Sequence, residues 1–148
     1  MKVVLALGSN LGDRESHIDR AIEELNKVVE VTHLSSLLET DPVGGPAQPN
    51  YLNAVAICES EITPLELLHH ALRIETELGR TRAEKWGARI IDIDLIAAGD
   101  LVIKTAELAL PHPLAYQRRF VLEPWSEIEP DAVLPGHGSI SSLLSELE

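Results

Sequence analysis

The sequence predicts an α+β domain built on an antiparallel sheet, and three observations carry that expectation. Its apolar segments switch between a period of two and a period near 3.6, in the order strand, helix, strand, strand, helix, strand. Its 148 residues hold no repeat, low-complexity stretch or linker, so a single domain over 1–148 is expected. With 45% apolar and 24% charged residues, the chain has the balance of a folded protein.

Residues 2–8 (KVVLALG) form a continuous apolar run and read as a buried strand. Ile18, Ala21, Ile22, Leu25 and Val29 keep helical spacing, which predicts a helix over about 14–28. Residues 30–40 read as one strand, although the Leu37-Leu38 pair blurs its alternation. The stretch 41–50 holds three prolines and two glycines and reads as a loop. Residues 51–59 form the next strand. Thr63-Pro64-Leu65-Glu66 then opens a second helix with a capping box and a first-turn proline, and the helix ends at Gly79. Residues 80–89 lack apolar period and read as a loop, and 90–97 as a strand. Gly99-Asp100 signals a turn, with 101–104 expected to return as a short hairpin partner. Pro111, Pro113, Pro124, Pro130 and Pro135 restrict the tail to short helices, and 139–148 is expected to be one of them. This order is the ferredoxin-like β-α-β-β-α-β pattern, with extra short C-terminal helices and two longer helices on one sheet face.

Net charge is −12 and the isoelectric point about 4.8, which argues against a general binder of nucleic acid or anionic membrane. Cys58 is the single cysteine; it excludes an internal disulfide and a cysteine-based zinc cluster and fits a reducing compartment. The N-terminal apolar run is too short for a signal sequence, and no stretch is long enough to span a bilayer, so a cytoplasmic protein is expected. Seven of the twelve cationic residues fall in two places: Arg73, Arg80, Arg82, Lys85 and Arg89, then Arg118 and Arg119. Such clusters on an acidic chain suit a confined polyphosphate; the alternative is surface pairing with Glu75, Glu77 and Glu84.

Asp92-Ile93-Asp94 carries the strongest chemical signal. In a strand the two carboxylates share a face with Ile90 and Ile96, while Ile91, Ile93 and Leu95 point the other way. Apolar residues on both faces predict an interior strand. Two adjacent carboxylates there repel and lose hydration, a cost that a hard divalent cation such as Mg²⁺ removes. The alternative is a polar strand face meeting solvent, although Asp is depleted in strands. With Arg80, Arg82 and Arg89 just upstream, the pair resembles a phosphoryl-transfer constellation. No P-loop and no kinase-type glycine loop is present, so side chains and metal must hold the phosphates.

Glu75 interrupts the apolar stripe of the second helix, so it is paired or touches a ligand. Tyr51 and Asn53 share a strand face and could stack on and hydrogen-bond a flat heterocycle, or form an ordinary strand face. Trp86, an aromatic among charges, reads as a lid or a cation–π partner. His112 sits between two prolines, six residues before Arg118, and is placed for a second phosphate contact; the other five histidines read as structural or solvent-facing, and Cys58 as a small buried residue.

These residues belong to longer motifs. Leu7-Gly8-Ser9-Asn10, Thr40-Asp41-Pro42-Val43, Gln48-Pro49-Asn50-Tyr51-Leu52-Asn53, Glu75 with Gly79-Arg80-Thr81-Arg82, the run from Trp86-Gly87-Ala88-Arg89 through Asp92-Ile93-Asp94-Leu95, Pro111-His112-Pro113 and Arg118-Arg119-Phe120-Val121-Leu122 follow one another in order. The series resembles the 6-hydroxymethyl-7,8-dihydropterin pyrophosphokinases of folate biosynthesis over nearly the whole chain. The resemblance implies one pyrophosphokinase domain of ferredoxin-like fold that moves the terminal diphosphate of ATP to the pterin hydroxymethyl oxygen and releases AMP. It implies that Asp92 and Asp94 hold two Mg²⁺ ions and that Arg80 and Arg89 reach the phosphates from a mobile loop. Arg82, His112 and Arg118 would contact ATP, with Glu75 and Leu95 near the nucleoside. Tyr51 and Phe120 would sandwich the pterin, Asn53 would hydrogen-bond its edge, and Thr40, Pro42, Val43 and Gly8 would line its pocket, with Trp86 closing over the site. The expected partners are the two small substrates, without nucleic acid or membrane; a monomer in functional contact with dihydropteroate synthase is implied.

The chain departs from the family pattern at Asp41, where a second proline is frequent, and at Ala88, which replaces a common proline; the loop before Trp86 is also about a residue shorter than in some members. These changes bear on how the lid closes. No ATP contact is carried onto Glu107 or Ala109. The motifs contain no obvious strong base, so metal, in-line alignment and the arginines are expected to supply most of the rate. The rivals are a non-catalytic pterin- or nucleotide-binding module, whose binding would survive without Mg²⁺, and an ordinary kinase releasing ADP.

Overall fold

The first apolar run becomes β1 (Lys2–Ser9), and the strands of the main sheet run antiparallel to their neighbours around it. The structure, a computed structural model, describes residues 1–40, 50–79 and 90–147. Among these, β1 lies between β4 (Tyr51–Glu59) and β5 (Asp92–Ala98), and β4 carries β2 (Glu30–Leu34) and β3 (Leu38–Thr40) on its far side. Helix α1 (Arg14–Leu25) joins β1 to β2, and α2 (Pro64–Gly79) follows β4.

Both helix starts have a local cause. The Asp13 carboxylate accepts the Ser16 N–H at 3.1 Å and caps α1. At α2 the predicted capping box forms: the Glu66 N–H donates to Thr63 Oγ1 at 3.1 Å, and the Thr63 N–H to Glu66 Oε1 at 3.0 Å. The Thr63 backbone N–H, with the Thr63 side chain, holds the Glu66 carboxyl below its ordinary value.

Alternation along the strands builds two cores. Leu5, Leu7, Ile93 and Leu95 face α1 and α2 and meet Ile18, Leu25, Leu67 and Ile74. Val4, Val55, Ile57 and Ile96 face the other way, against Leu122 and Trp125 of α3 (Arg119–Ile128) and Ile140 of α4 (Ile140–Glu146). Each fully buried side chain of this size contributes about 1.5–3 kcal/mol by leaving water. Cys58 is buried in the first core, and burial pushes its thiol up to about 12, so it stays an unreactive thiol. The tail forms short elements, as its prolines require; α3 keeps only ten residues and contains Pro124.

Three expectations need correction. Residues 30–40 are two strands, because Ser35 interrupts them. Its N–H donates to the Val55 carbonyl at 2.9 Å, and its Oγ accepts the Val55 N–H at 2.9 Å in place of a ladder bond. Second, β5 ends the sheet among the described residues and is not interior. At its outer edge the His112 N–H donates to the Ile96 carbonyl at 2.8 Å, and both of its faces are packed, Ile93 and Leu95 in one core and Ile96 and Ala97 in the other, which explains the apolar residues on both faces. Third, 101–104 does not return along β5. Its residues Ile103–Lys104 (β6) pair with Ala109–Leu110 (β7), and Thr105 closes the connection through bonds to Leu108. A last hairpin, β8 (Val133–Leu134) with β9 (Gly138–Ser139), precedes α4.

Candidate active site

The second sheet face, the one bearing α3, is lined toward one end by small and polar residues. Along β1 the large residues of that face give way to Ala6 and Gly8. Asp94 pairs with Ala6 and Asp92 with Gly8 across β1–β5, while Asn53 pairs with Gly8 on the β4 side. Gly8 is therefore the saddle between the aspartates and the Asn53 carboxamide. A Cβ on Gly8 would lie 3.1 Å from Asn53 Oδ1 and 3.5 Å from Tyr51 Cδ1. The missing side chain keeps this part of the face clear.

The orientation of Asn53 is set by its neighbours on β3. Its Nδ2 donates to Thr40 Oγ1 at 2.7 Å and reaches the Leu38 carbonyl at 3.5 Å. Asn53 is buried, so its amide depends on these partners. Thr40 pairs directly with Tyr51, which brings Thr40, Tyr51, Asn53 and Gly8 into one group.

Asp92 and Asp94 remain half-buried on the same face, alternating with the buried Ile91, Ile93 and Leu95. Two hard oxygen donors beside Ala6 and Gly8 fit a divalent cation that keeps further positions for water and phosphate.

His112 and Arg118 stand at the flank of β5. Burial is the main effect lowering the His112 pKa; the Asp94 carboxylate pulls it up and the Arg118 guanidinium pushes it down, so both groups lie within electrostatic reach of His112. Nδ1 of His112 accepts the Leu114 N–H at 3.1 Å, leaving Nε2 as the outward donor of a neutral ring. The Arg118 guanidinium lies 5.5 Å over the centre of the Phe120 ring, a cation–π contact. Phe120 packs partly against the second core and holds that ring on the same sheet face.

The structure thus brings Gly8, Thr40, Tyr51 and Asn53 together, places Asp92 and Asp94 beside them, and groups His112, Arg118 and Phe120 nearby. Leu95 differs: it is 4% exposed within the opposite core, so its side chain does not share the aspartates' face and only its backbone is left for a ligand. The Glu75 carboxylate accepts the Ile93 N–H at 2.7 Å, an attachment the sequence did not reveal. Ala6 was overlooked, although a small residue within a Val/Leu strand, opposite an Asp, is a legible sign of a face kept clear. Pro42, Val43, Arg80, Arg82, Trp86 and Arg89 lie outside the described residues, as do Asp41 and Ala88.

Fold and face define a class: an α+β domain in which, among the described residues, one end of a sheet face is lined by small residues between two carboxylates and an oriented amide. Comparison with known proteins narrows it. Residues 4–130 match the family model of 7,8-dihydro-6-hydroxymethylpterin-pyrophosphokinase, and the chain belongs to that family. The family is one of diphosphotransferases of folate biosynthesis that use ATP as co-substrate. The chain is 44% identical over 126 residues to a 2-amino-4-hydroxy-6-hydroxymethyldihydropteridine pyrophosphokinase of Bacillus subtilis, covering 84% of this chain and 75% of the relative. It is 42% identical to the enzyme of the same name from Aquifex aeolicus, covering 90% and 83%. Its fold is that of a crystal structure of an HPPK-DHPS in complex with substrates, with a TM-score of 0.74 at 12% identity over 98% of this chain. A Plasmodium falciparum HPPK-DHPS is similar, with a TM-score of 0.70 at 13% identity over 98% of this chain. The chain spans 43% of each of these two longer chains. None of the helices among the described residues is long and apolar enough to cross a membrane.

Proposed function

We propose that the chain, as one domain over 1–148, transfers the terminal diphosphate of ATP to the hydroxymethyl oxygen of 6-hydroxymethyl-7,8-dihydropterin, giving AMP and the pterin diphosphate. The observation that carries this reading is the pairing of Asp92 and Asp94 with Gly8 and Ala6 on one sheet face, beside Asn53. The strand order β2-β4-β1-β5, with α1 and α2 on one face, supports the ferredoxin-like description of the fold.

In this reading the face is divided between two substrates. Tyr51 and Phe120 stack on the pterin, the Asn53 amide bonds its edge, and Thr40 holds that amide in one orientation. Pro42 and Val43 line the same pocket, and Trp86 closes over it. Arg82, His112 and Arg118 hold ATP, His112 through its Nε2 donor, with Glu75 and the Leu95 backbone on the nucleoside side. Asp92 and Asp94 hold two Mg²⁺ ions. When bound, Mg²⁺ neutralises phosphate charge and polarises the oxygens of the transferred group. The hydroxymethyl oxygen forms a bond to the β-phosphorus, the bond from that phosphorus to the α–β bridging oxygen breaks, and AMP carries that oxygen away. The hydroxyl proton passes to solvent as the new ester forms. Arg80 and Arg89 offset charge on the leaving and transferred groups, and alignment of the two substrates lowers the barrier that chemistry without a strong protein base would otherwise face.

The protein is read as a cytoplasmic monomer whose product passes to the next folate enzyme; the joined HPPK-DHPS chains support a functional contact with dihydropteroate synthase. Purified protein supplied with MgATP and the pterin should form pterin diphosphate, detected by mass. Absence of product, with ATP or pterin still bound, would contradict the reading and favour a binding module. Gly8→Val is expected to raise KM for the pterin by roughly 10-fold, since overpacking of about 1–3 kcal/mol falls on the Asn53 carboxamide. An unchanged KM would remove Gly8 from the pocket.

A further inference from the structure

Strand β5 carries the two aspartates at the edge of the sheet, and an edge strand is the least constrained place to hold metal ligands. Ile93 lies between them in sequence. Its side chain enters the core shared with α2, on the face opposite the carboxylates. Its backbone N–H is taken by Glu75 Oε2 at 2.7 Å, a charge-assisted bond from α2. One residue before Glu75, Ile74 is fully buried in the same core, so the helix that presents the carboxylate is itself fixed. Farther along β5, the His112 N–H caps the Ile96 carbonyl at 2.8 Å. The outer edge of the strand is thus held on both sides of Asp94.

We infer that Glu75 is a positioning residue for the metal-binding strand: its bond to the Ile93 N–H fixes the backbone from which Asp92 and Asp94 project. This rests on the reading of the two aspartates as metal ligands. It also explains a carboxylate within the apolar stripe of α2, because the Ile93 N–H needs an acceptor where, among the described residues, no further strand pairs with β5. Outer partners of this kind change metal affinity by about 10–100-fold when removed.

The test uses Mn²⁺ alone as the probe, without nucleotide, so that the placing of Glu75 near the nucleoside does not enter, and reads Mn²⁺ binding by electron spin resonance. Amide hydrogen exchange of Ile93 is read separately on metal-free protein. The parent should protect the Ile93 amide. Glu75→Ala should lose that protection and bind Mn²⁺ about 10–100-fold more weakly. Glu75→Gln, which keeps an acceptor oxygen, should stay near the parent in both readings. Parent-like Mn²⁺ binding by Glu75→Ala would overturn the inference, as would an equal loss in Glu75→Gln, which would assign the effect to charge instead of the bond. Should Glu75→Ala not fold, an unprotected Ile93 amide in the parent, or weakened binding by Glu75→Gln, overturns it equally. Asp94→Ala separates the two claims. If it loses Mn²⁺ while Glu75→Ala does not, only the role of Glu75 fails. If it binds Mn²⁺ like the parent, the metal reading fails and the inference with it.

Discussion

Asp94→Ala is expected to abolish turnover while leaving the protein folded. Asp94 projects from β5 opposite Ala6, half-exposed, with His112 within electrostatic reach. Loss of this donor leaves Asp92 as the single carboxylate of the pair. Metal-assisted charge stabilisation is worth several kcal/mol in the transition state, so a fall of roughly 10³-fold or more is expected. The fold should tolerate the change, because removing one of two neighbouring carboxylates relieves repulsion in the metal-free protein. Thermal unfolding near the parental temperature, together with lost product formation, is the expected pair of results. Parental turnover would sink the metal assignment.

Arg89→Ala is expected to lower the rate of transfer by roughly 10³-fold, the low end for an arginine that offsets transition-state charge. Arg89 stands three residues before Asp92 in the sequence, and its guanidinium matches the fork geometry of phosphate oxygens. The loss should fall mainly on kcat, since a contact made as the phosphorus is attacked stabilises the transition state more than the bound substrates. Single-turnover measurement with saturating substrates reads this directly. A rate within a few-fold of the parent would take Arg89 out of the catalytic group.

Much of the frame was legible because local signals agreed with tertiary demand. The capping box at Thr63 and Glu66 forms as the sequence implies, and β4 spans Tyr51–Glu59 as read. The aspartate pair was legible from alternation alone. What was not legible depends on bonds made across long sequence separation. Nothing local to Ser35 announces that it exchanges bonds with Val55 and divides a strand. The edge position of β5 was hidden because both of its faces are packed, Ile93 and Leu95 in one core and Ile96 in the other, a pattern that imitates an interior strand; the bonds to His112 and Glu75 on its outer side leave no mark in the sequence. Glu75 itself could be marked as unusual, but its partner is a backbone N–H, which carries no residue-type signature. The link between Thr40 and Asn53 was likewise out of reach, since it requires the β3–β4 register.

The central claim is that the diphosphate, not a single phosphoryl group, is transferred, and the nucleotide product tests it most directly. With purified protein, MgATP and 6-hydroxymethyl-7,8-dihydropterin, AMP should appear in step with pterin diphosphate, one for one. ADP as the nucleotide product would place attack at the γ-phosphorus and contradict the assignment of the site.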